Sequence, residues 1–247
     1  MSTSIIGIDC ATQDKRVGLA LGRDDGTTAA VTQVRLGSMV DAVAETIAAW
    51  AKPDLPTLLA LDAPLGWPAD LGQELHRHQA GAPLHGEANH LFRRHTDRLI
   101  KRATGKLPLD VGADRIARTA HAALALLQAL RQCTGQPIPL AWQPELTPGI
   151  QAIEVYPAGT LAAYGIDARG YKRRDGRAQR LALLHFLGQH LSLPQDRTLM
   201  EENDDALDAA LCVLAGLDFL RGRAMEPENL HTVRKEGWIW VRTFGST

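Results

Sequence analysis

Five acids in this chain sit where a short apolar strand ends or a helix begins, a placement that suits oxygen ligation of a metal ion. Asp9 closes Ser4-Ile5-Ile6-Gly7-Ile8, Asp62 closes Leu58-Leu59-Ala60-Leu61, and Glu154 closes Ile150-Gln151-Ala152-Ile153. Asp205 and Asp208 follow Asn203 three residues apart, on one face of a late apolar helix. Hard divalent cations such as Mg²⁺ or Mn²⁺ prefer oxygen ligands, and ionised carboxylates brought together without one repel each other. Two such ions, about 3.5–4 Å apart, activate water and stabilise the leaving oxygen in phosphodiester hydrolysis. Asp9, Asp62, Glu154, Asp205 and Asp208 are therefore the expected catalytic set, with Asp9, Asp62, Asp205 and Asp208 as the metal ligands. Taken singly, each acid also reads as a strand end or cap, and capping accounts for Asn203 and Asp204 better than for Asp208, beyond the first turn.

Prolines follow two of these acids closely, in Asp62-Ala63-Pro64 and Glu154-Val155-Tyr156-Pro157, and restrict the turns that aim the carboxylates. Two basic runs can meet phosphates: Arg93, Arg94, Arg98, Lys101 and Arg102, then Lys172, Arg173, Arg174, Arg177 and Arg180. The second begins just before an expected helix start, where backbone amides favour anions. No histidine pair has HExxH spacing, which argues against zinc. Cys10 has no identifiable partner histidine and reads as a small buried thiol.

The elements that must position these groups alternate in type. Residues 4–9, 16–22 and 29–36 read as a strand meander, followed by a helix over Met39–Ala51 that Pro53 and Pro56 close, and a strand over Thr57–Asp62. That strand–helix–strand crossover implies parallel pairing. Residues 66–149 change to His, Arg, Gly and Pro, with a helix over Ala113–Gln132, and read as a helical insertion. A strand over Ile150–Val155, helices over Arg173–His190 and Asp204–Leu220, and an edge strand at Trp238–Val241 complete the chain as one domain, 1–247.

A net charge of −1 means that any polyanion has to be met by local basic patches. Three dispersed cysteines support neither a disulfide framework nor a zinc knuckle. The absence of a signal-like N-terminus or a membrane-length apolar run gives a soluble, cytoplasmic protein as the expectation.

The order of strand Asp9, strand Asp62 and helix Asp205/Asp208 resembles the ribonuclease H-like fold, and the helix motif resembles that of Holliday-junction resolvases. With Phe92-Arg93-Arg94-His95-Thr96-Asp97, Glu154-Val155-Tyr156-Pro157-Ala158 and Tyr171-Lys172, nearly the whole chain is similar to the DUF429 family of predicted nucleases. The resemblance implies an α/β fold: a mixed five-stranded sheet, order 3-2-1-4-5, flanked by helices, with a helical insertion after the fourth strand. It implies phosphodiester cleavage of nucleic acid dependent on Mg²⁺ or Mn²⁺, while the near-neutral charge and the large insertion suggest a small or nucleotide-like substrate as readily as a long duplex. Asp9 would bridge the ions, Asp62 and Asp205 or Asp208 would complete the shells, and Arg94, Asp97, Lys172 and Arg173 would meet the substrate. Two other readings stand beside it. Asp9-Cys10-Ala11-Thr12 loosely matches the phosphate loop of actin-like and sugar-kinase-type nucleotide binders, and a binding module of the same fold would carry the acids as vestiges.

Overall fold

In the computed structural model, residues 2–38, 42–52 and 54–243 are described. The meander forms as β1 (Thr3–Asp9), β2 (Gly18–Asp24) and β3 (Ala29–Leu36). β2 starts two residues later than its apolar run suggests, because Asp14–Arg16 closes a 3₁₀ turn first. Between β2 and β3, the Asp25 carboxylate accepts the Thr27 and Thr28 amides and holds the turn. α1 (Val43–Trp50) and β4 (Pro56–Asp62) follow. Met39 and Pro53, invoked above as the helix start and stop, lie outside the described residues.

After β4 come α2 (Ala69–Leu75), α3 (Ala88–Leu91), α4 (His95–Thr104) and α5 (Ile116–Thr134). β5 (Gly149–Glu154) is followed by α6 (Pro157–Ala163), α7 (Arg177–Leu187), α8 (Thr198–Glu202), α9 (Asp204–Leu220) and α10 (Leu230–Glu236). The sheet order is β3-β2-β1-β4-β5. β1, β2 and β3 pair antiparallel, and β4 lies parallel to both β1 and β5. This mixed α/β arrangement is the one the ribonuclease H-like resemblance implies.

Strand alternation divides the core into two layers. Ile6, Ile8, Leu59, Leu61 and Ala152 pack against α1 and against Ala123, Leu127 and Leu130 of α5. α5 thus covers part of one sheet face. The other face, from Ile5, Leu58 and Ala60, receives α9, whose residues from Ala206 to Phe219 are all buried. Asn203 caps α9 by accepting the Ala206 amide at 2.9 Å. Trp238–Val241 forms no full strand: Ile239 makes a single parallel bridge to Glu154, and the Trp240 amide donates to the Glu154 carbonyl. No helix among the described residues is long and apolar enough to cross a membrane.

α9 lies unusually close to the sheet because glycines line its path. A Cβ on Gly7 would fall 2.0 Å from the Ala209 carbonyl oxygen, and one on Gly18 would fall 2.0 Å from that of Asp205. Gly18 is also the register partner of Asp9. The contact therefore sets the first turns of α9 against the carboxyl end of β1. Gly7→Ala is expected to lower stability by about 2–3 kcal/mol, since backbone atoms must move to admit the methyl group. Urea unfolding checks this, and an unchanged midpoint contradicts the packing argument.

Candidate metal centre

Asp9 and Asp62 are register partners at the carboxyl ends of adjacent parallel strands, so their side chains leave the sheet on the same face. That is the face covered by α9, which contributes Asp208 from its second turn. One carboxylate oxygen from each of Asp9, Asp62 and Asp208 lies within 4.8 Å of the others. Asp208 is fully buried, and the two strand acids are partly exposed. Asp205, one turn earlier, flanks this triad and ion-pairs with Arg16 at 3.8 Å.

Tyr171 and Lys172 complete the centre. The Tyr171 hydroxyl donates to Asp208 Oδ1 at 2.8 Å, and Lys172 Nζ lies 2.5 Å from Oδ2. They are carried by a turn, because α7 begins at Arg177 and not at Arg173 as its periodicity suggests. Arg180 fixes that turn: buried, it donates to the carbonyls of Tyr171 at 2.6 Å, Arg173 at 3.0 Å and Glu201 at 2.7 Å. Arg180, expected among phosphate contacts, instead ties the Tyr171–Lys172 turn to the entry of α9. Arg173 is exposed and lines a separate recess with Arg169 and Gln179.

The electrostatics are those of an undercompensated anion cluster. Burial, then the charge of Asp208, pushes Asp62 up to about 7. Burial followed by Asp208 and Asp62 raises Asp9 well above the carboxylate range. Asp208 is also raised by burial, against the pull of Lys172 and Tyr171. Burial works against the Lys172 charge, but Asp208, Asp62 and Asp9 outweigh it and hold the ammonium above its usual range. Burial likewise pushes up the Cys10 thiol, which fits an inert packing residue.

Glu154 does not join the triad, although its sequence setting matches that of Asp62. Its register partner is Leu61, so its side chain leaves the opposite face of the sheet. There it receives both terminal nitrogens of Arg94 at 2.7 Å and the Leu65 amide at 3.0 Å. Arg94 also donates to both Asp97 oxygens, at 3.1 Å and 2.8 Å, and to the Glu236 carbonyl at 3.2 Å. All five guanidinium N–H groups thus have acceptors within the chain. Arg94 and Asp97 are 1% and 0% exposed. Expected to meet substrate, they form a buried clamp holding the α3–α4 junction against β5 and the end of α10, and Arg94 with Glu154 also lines the cavity that holds Asp9 and Asp62. Glu154 is raised by burial despite Arg94, since two carboxylates share one guanidinium.

Asp9 and Asp62 of the triad line a cavity of about 480 Å³. Lys172 and Tyr156 line it on the acid side, and Leu109, Arg115 and Arg118 line it from the insertion. Neither Arg115 nor Arg118 belongs to a basic run, so sequence clustering had no means of singling them out. The family described as "Protein of unknown function (DUF429)" matches residues 7–232. No curated protein and no solved structure matches the chain.

Two stability outcomes follow from these charges. Arg94→Met leaves Glu154 and Asp97 buried without their cation and is expected to cost about 3–5 kcal/mol in urea unfolding. For Asp62, the folded chain holds the proton to about pH 7 and the unfolded chain releases it near 3.8. The folded state binds more protons between those values, so this residue's contribution to stability declines as pH rises from about 4 to about 7 and then levels off. Measured in chelator, Asp62→Asn is expected to gain on the wild type across that window, by an amount on the order of a few kcal/mol at pH 8. A pH-independent difference would contradict the placement of Asp62.

Proposed function

Taking as premise that this chain belongs to the DUF429 family, we propose that it hydrolyses phosphodiester bonds of a nucleic acid or nucleotide-like substrate, using Mg²⁺ or Mn²⁺ held by Asp9, Asp62 and Asp208. The observation that carries the reading is the approach of three carboxylate oxygens, from β1, β4 and α9, to within 4.8 Å of one another. Three carboxylates facing one ammonium leave two negative charges, which is the charge of a single divalent cation. An all-oxygen donor set suits hard ions and not zinc. Asp208 Oδ2 fits too: the Lys172 ammonium approaches it, but no well-aligned hydrogen bond occupies it. When bound, the ion supplies Lewis-acid chemistry, activating water near neutral pH and stabilising charge on phosphoryl oxygens.

The protein's own groups divide the remaining work. Tyr171 orients Asp208 through its hydroxyl, and the close contact of α9 with β1 keeps Asp208 in reach of Asp9. Lys172, with its pKa held high, stays protonated at neutral pH and serves as a cation toward a phosphoryl or leaving oxygen, not as a base. Asp205, beside Asp9 but paired with Arg16, tunes the centre from its edge. An actin-like or sugar-kinase-type nucleotide-binding role for Asp9-Cys10-Ala11-Thr12 calls for a second lobe to enclose ATP, and the described residues form one five-stranded sheet.

Purified protein is expected to cleave bis(p-nitrophenyl) phosphate or an oligonucleotide with Mn²⁺ or Mg²⁺ and not in chelator. Outer-sphere partners of a metal are worth about 10–100-fold, so loss of the ligand in Asp9→Asn should reduce turnover by at least about a hundredfold, with an unchanged circular dichroism spectrum. Turnover indifferent to chelator or to this substitution overturns the reading.

A further inference from the structure

The far wall of the cleft carries positive charge that the metal centre does not explain. Arg115 and Arg118 stand at the start of α5, three residues apart and on one helix face, and both line the cavity that contains Asp9 and Asp62. Both are exposed, and among the described residues neither guanidinium has an ion-pair or hydrogen-bond partner in the chain. Three arginines of the first basic run, to which neither belongs, differ. Arg93 is paired with Asp110, Arg94 is saturated, and Arg98 donates to the carbonyls of Arg93 and Asn89.

Two adjacent cations at a helix N-terminus repel each other and oppose the helix dipole, so folding alone does not favour them there. An anion between them would relieve both penalties. Beside them, Leu109 is 40% exposed, and with Pro108 and Ile116 it gives the same wall an apolar strip. The cavity therefore has an acidic end, a basic end and an apolar side. Its volume of about 480 Å³ is in the range of small-molecule sites and too small to enclose duplex.

We propose that the substrate is a nucleotide-sized phosphodiester bearing a second, terminal phosphate, which Arg115 and Arg118 grip while the scissile phosphate lies at the carboxylate triad. This rests on the phosphodiesterase reading. Leu109 packs against the nucleoside portion. In the reaction, a water oxygen bonds to phosphorus as the ester P–O bond breaks. One water proton passes to the leaving oxygen and the other to solvent, giving a phosphomonoester and an alcohol.

The test compares the 5′-phosphorylated dinucleotide pApA with ApA, and with longer single-stranded and duplex oligonucleotides, in Mn²⁺. Wild-type protein should favour pApA over ApA by at least about tenfold in kcat/KM, as charge-assisted bidentate contacts allow, and over duplex by more. In the Arg115→Gln/Arg118→Gln double variant that preference should collapse toward unity, mainly through KM. Equal use of pApA and ApA by the wild type, a preference for duplex, or a preference that survives the double substitution overturns the proposal. Calorimetric binding of AMP to metal-free Asp9→Asn protein separates this from failure of the metal reading. Binding that the double substitution abolishes supports the arginine subsite whether or not turnover is seen, and binding that it leaves intact, or none at all, overturns it.

Discussion

Three buried or half-buried carboxylates, held within 4.8 Å against a single ammonium, are the constraint around which the chain is organised. Their mutual repulsion and lost hydration favour separation. The fold resists this with rigid backbone. β1 and β4 pair in parallel so that Asp9 and Asp62 end level. Glycines at positions 7 and 18 admit the α9 backbone. Arg180, through main-chain carbonyls, pins the turn that brings Tyr171 and Lys172. The strain is electrostatic, and it persists because none of these backbone contacts can yield a little at a time.

The second buried charge system makes the contrast plain. Arg94, Asp97 and Glu154 are buried, and although Arg94 and Glu154 also line the cavity that holds Asp9 and Asp62, every guanidinium hydrogen is matched within the chain. One network is closed and clamps the insertion, while the other is left short of positive charge at the mouth of a cavity. A closed network specifies structure, and an open one invites a cation.

The acids at the ends of β1 and β4 were legible because a two-residue period and a terminal carboxylate are local features, and α9 was legible from its cap and apolar content to the residue at both ends. Glu154 was not separable from Asp62 in this way. Both end apolar strands shortly before a proline, and only the β4–β5 register reveals that they leave opposite faces. The basic runs misled for a related reason: guanidinium groups look alike in sequence, but Arg94 and Arg180 found acceptors through tertiary contacts across long separations in the chain. Arg115 and Arg118 belong to no basic run, and what distinguishes them is the cavity that they line, which leaves no local mark in the sequence. The helix expected from Arg173 begins four residues later because the intervening turn is held by Arg180.

A divalent ion that binds the triad must displace protons from it. Titration of Mn²⁺ by calorimetry, repeated in two buffers of different ionisation enthalpy, reports both the binding and the protons released. At about pH 6, where Asp62 is mostly protonated, binding should release close to one proton from this residue, that share should fade as pH rises past its value of about 7, and Asp208→Asn should abolish binding. No binding, or binding that releases no proton and ignores Asp208, would contradict the assignment of Asp9, Asp62 and Asp208 as a metal centre.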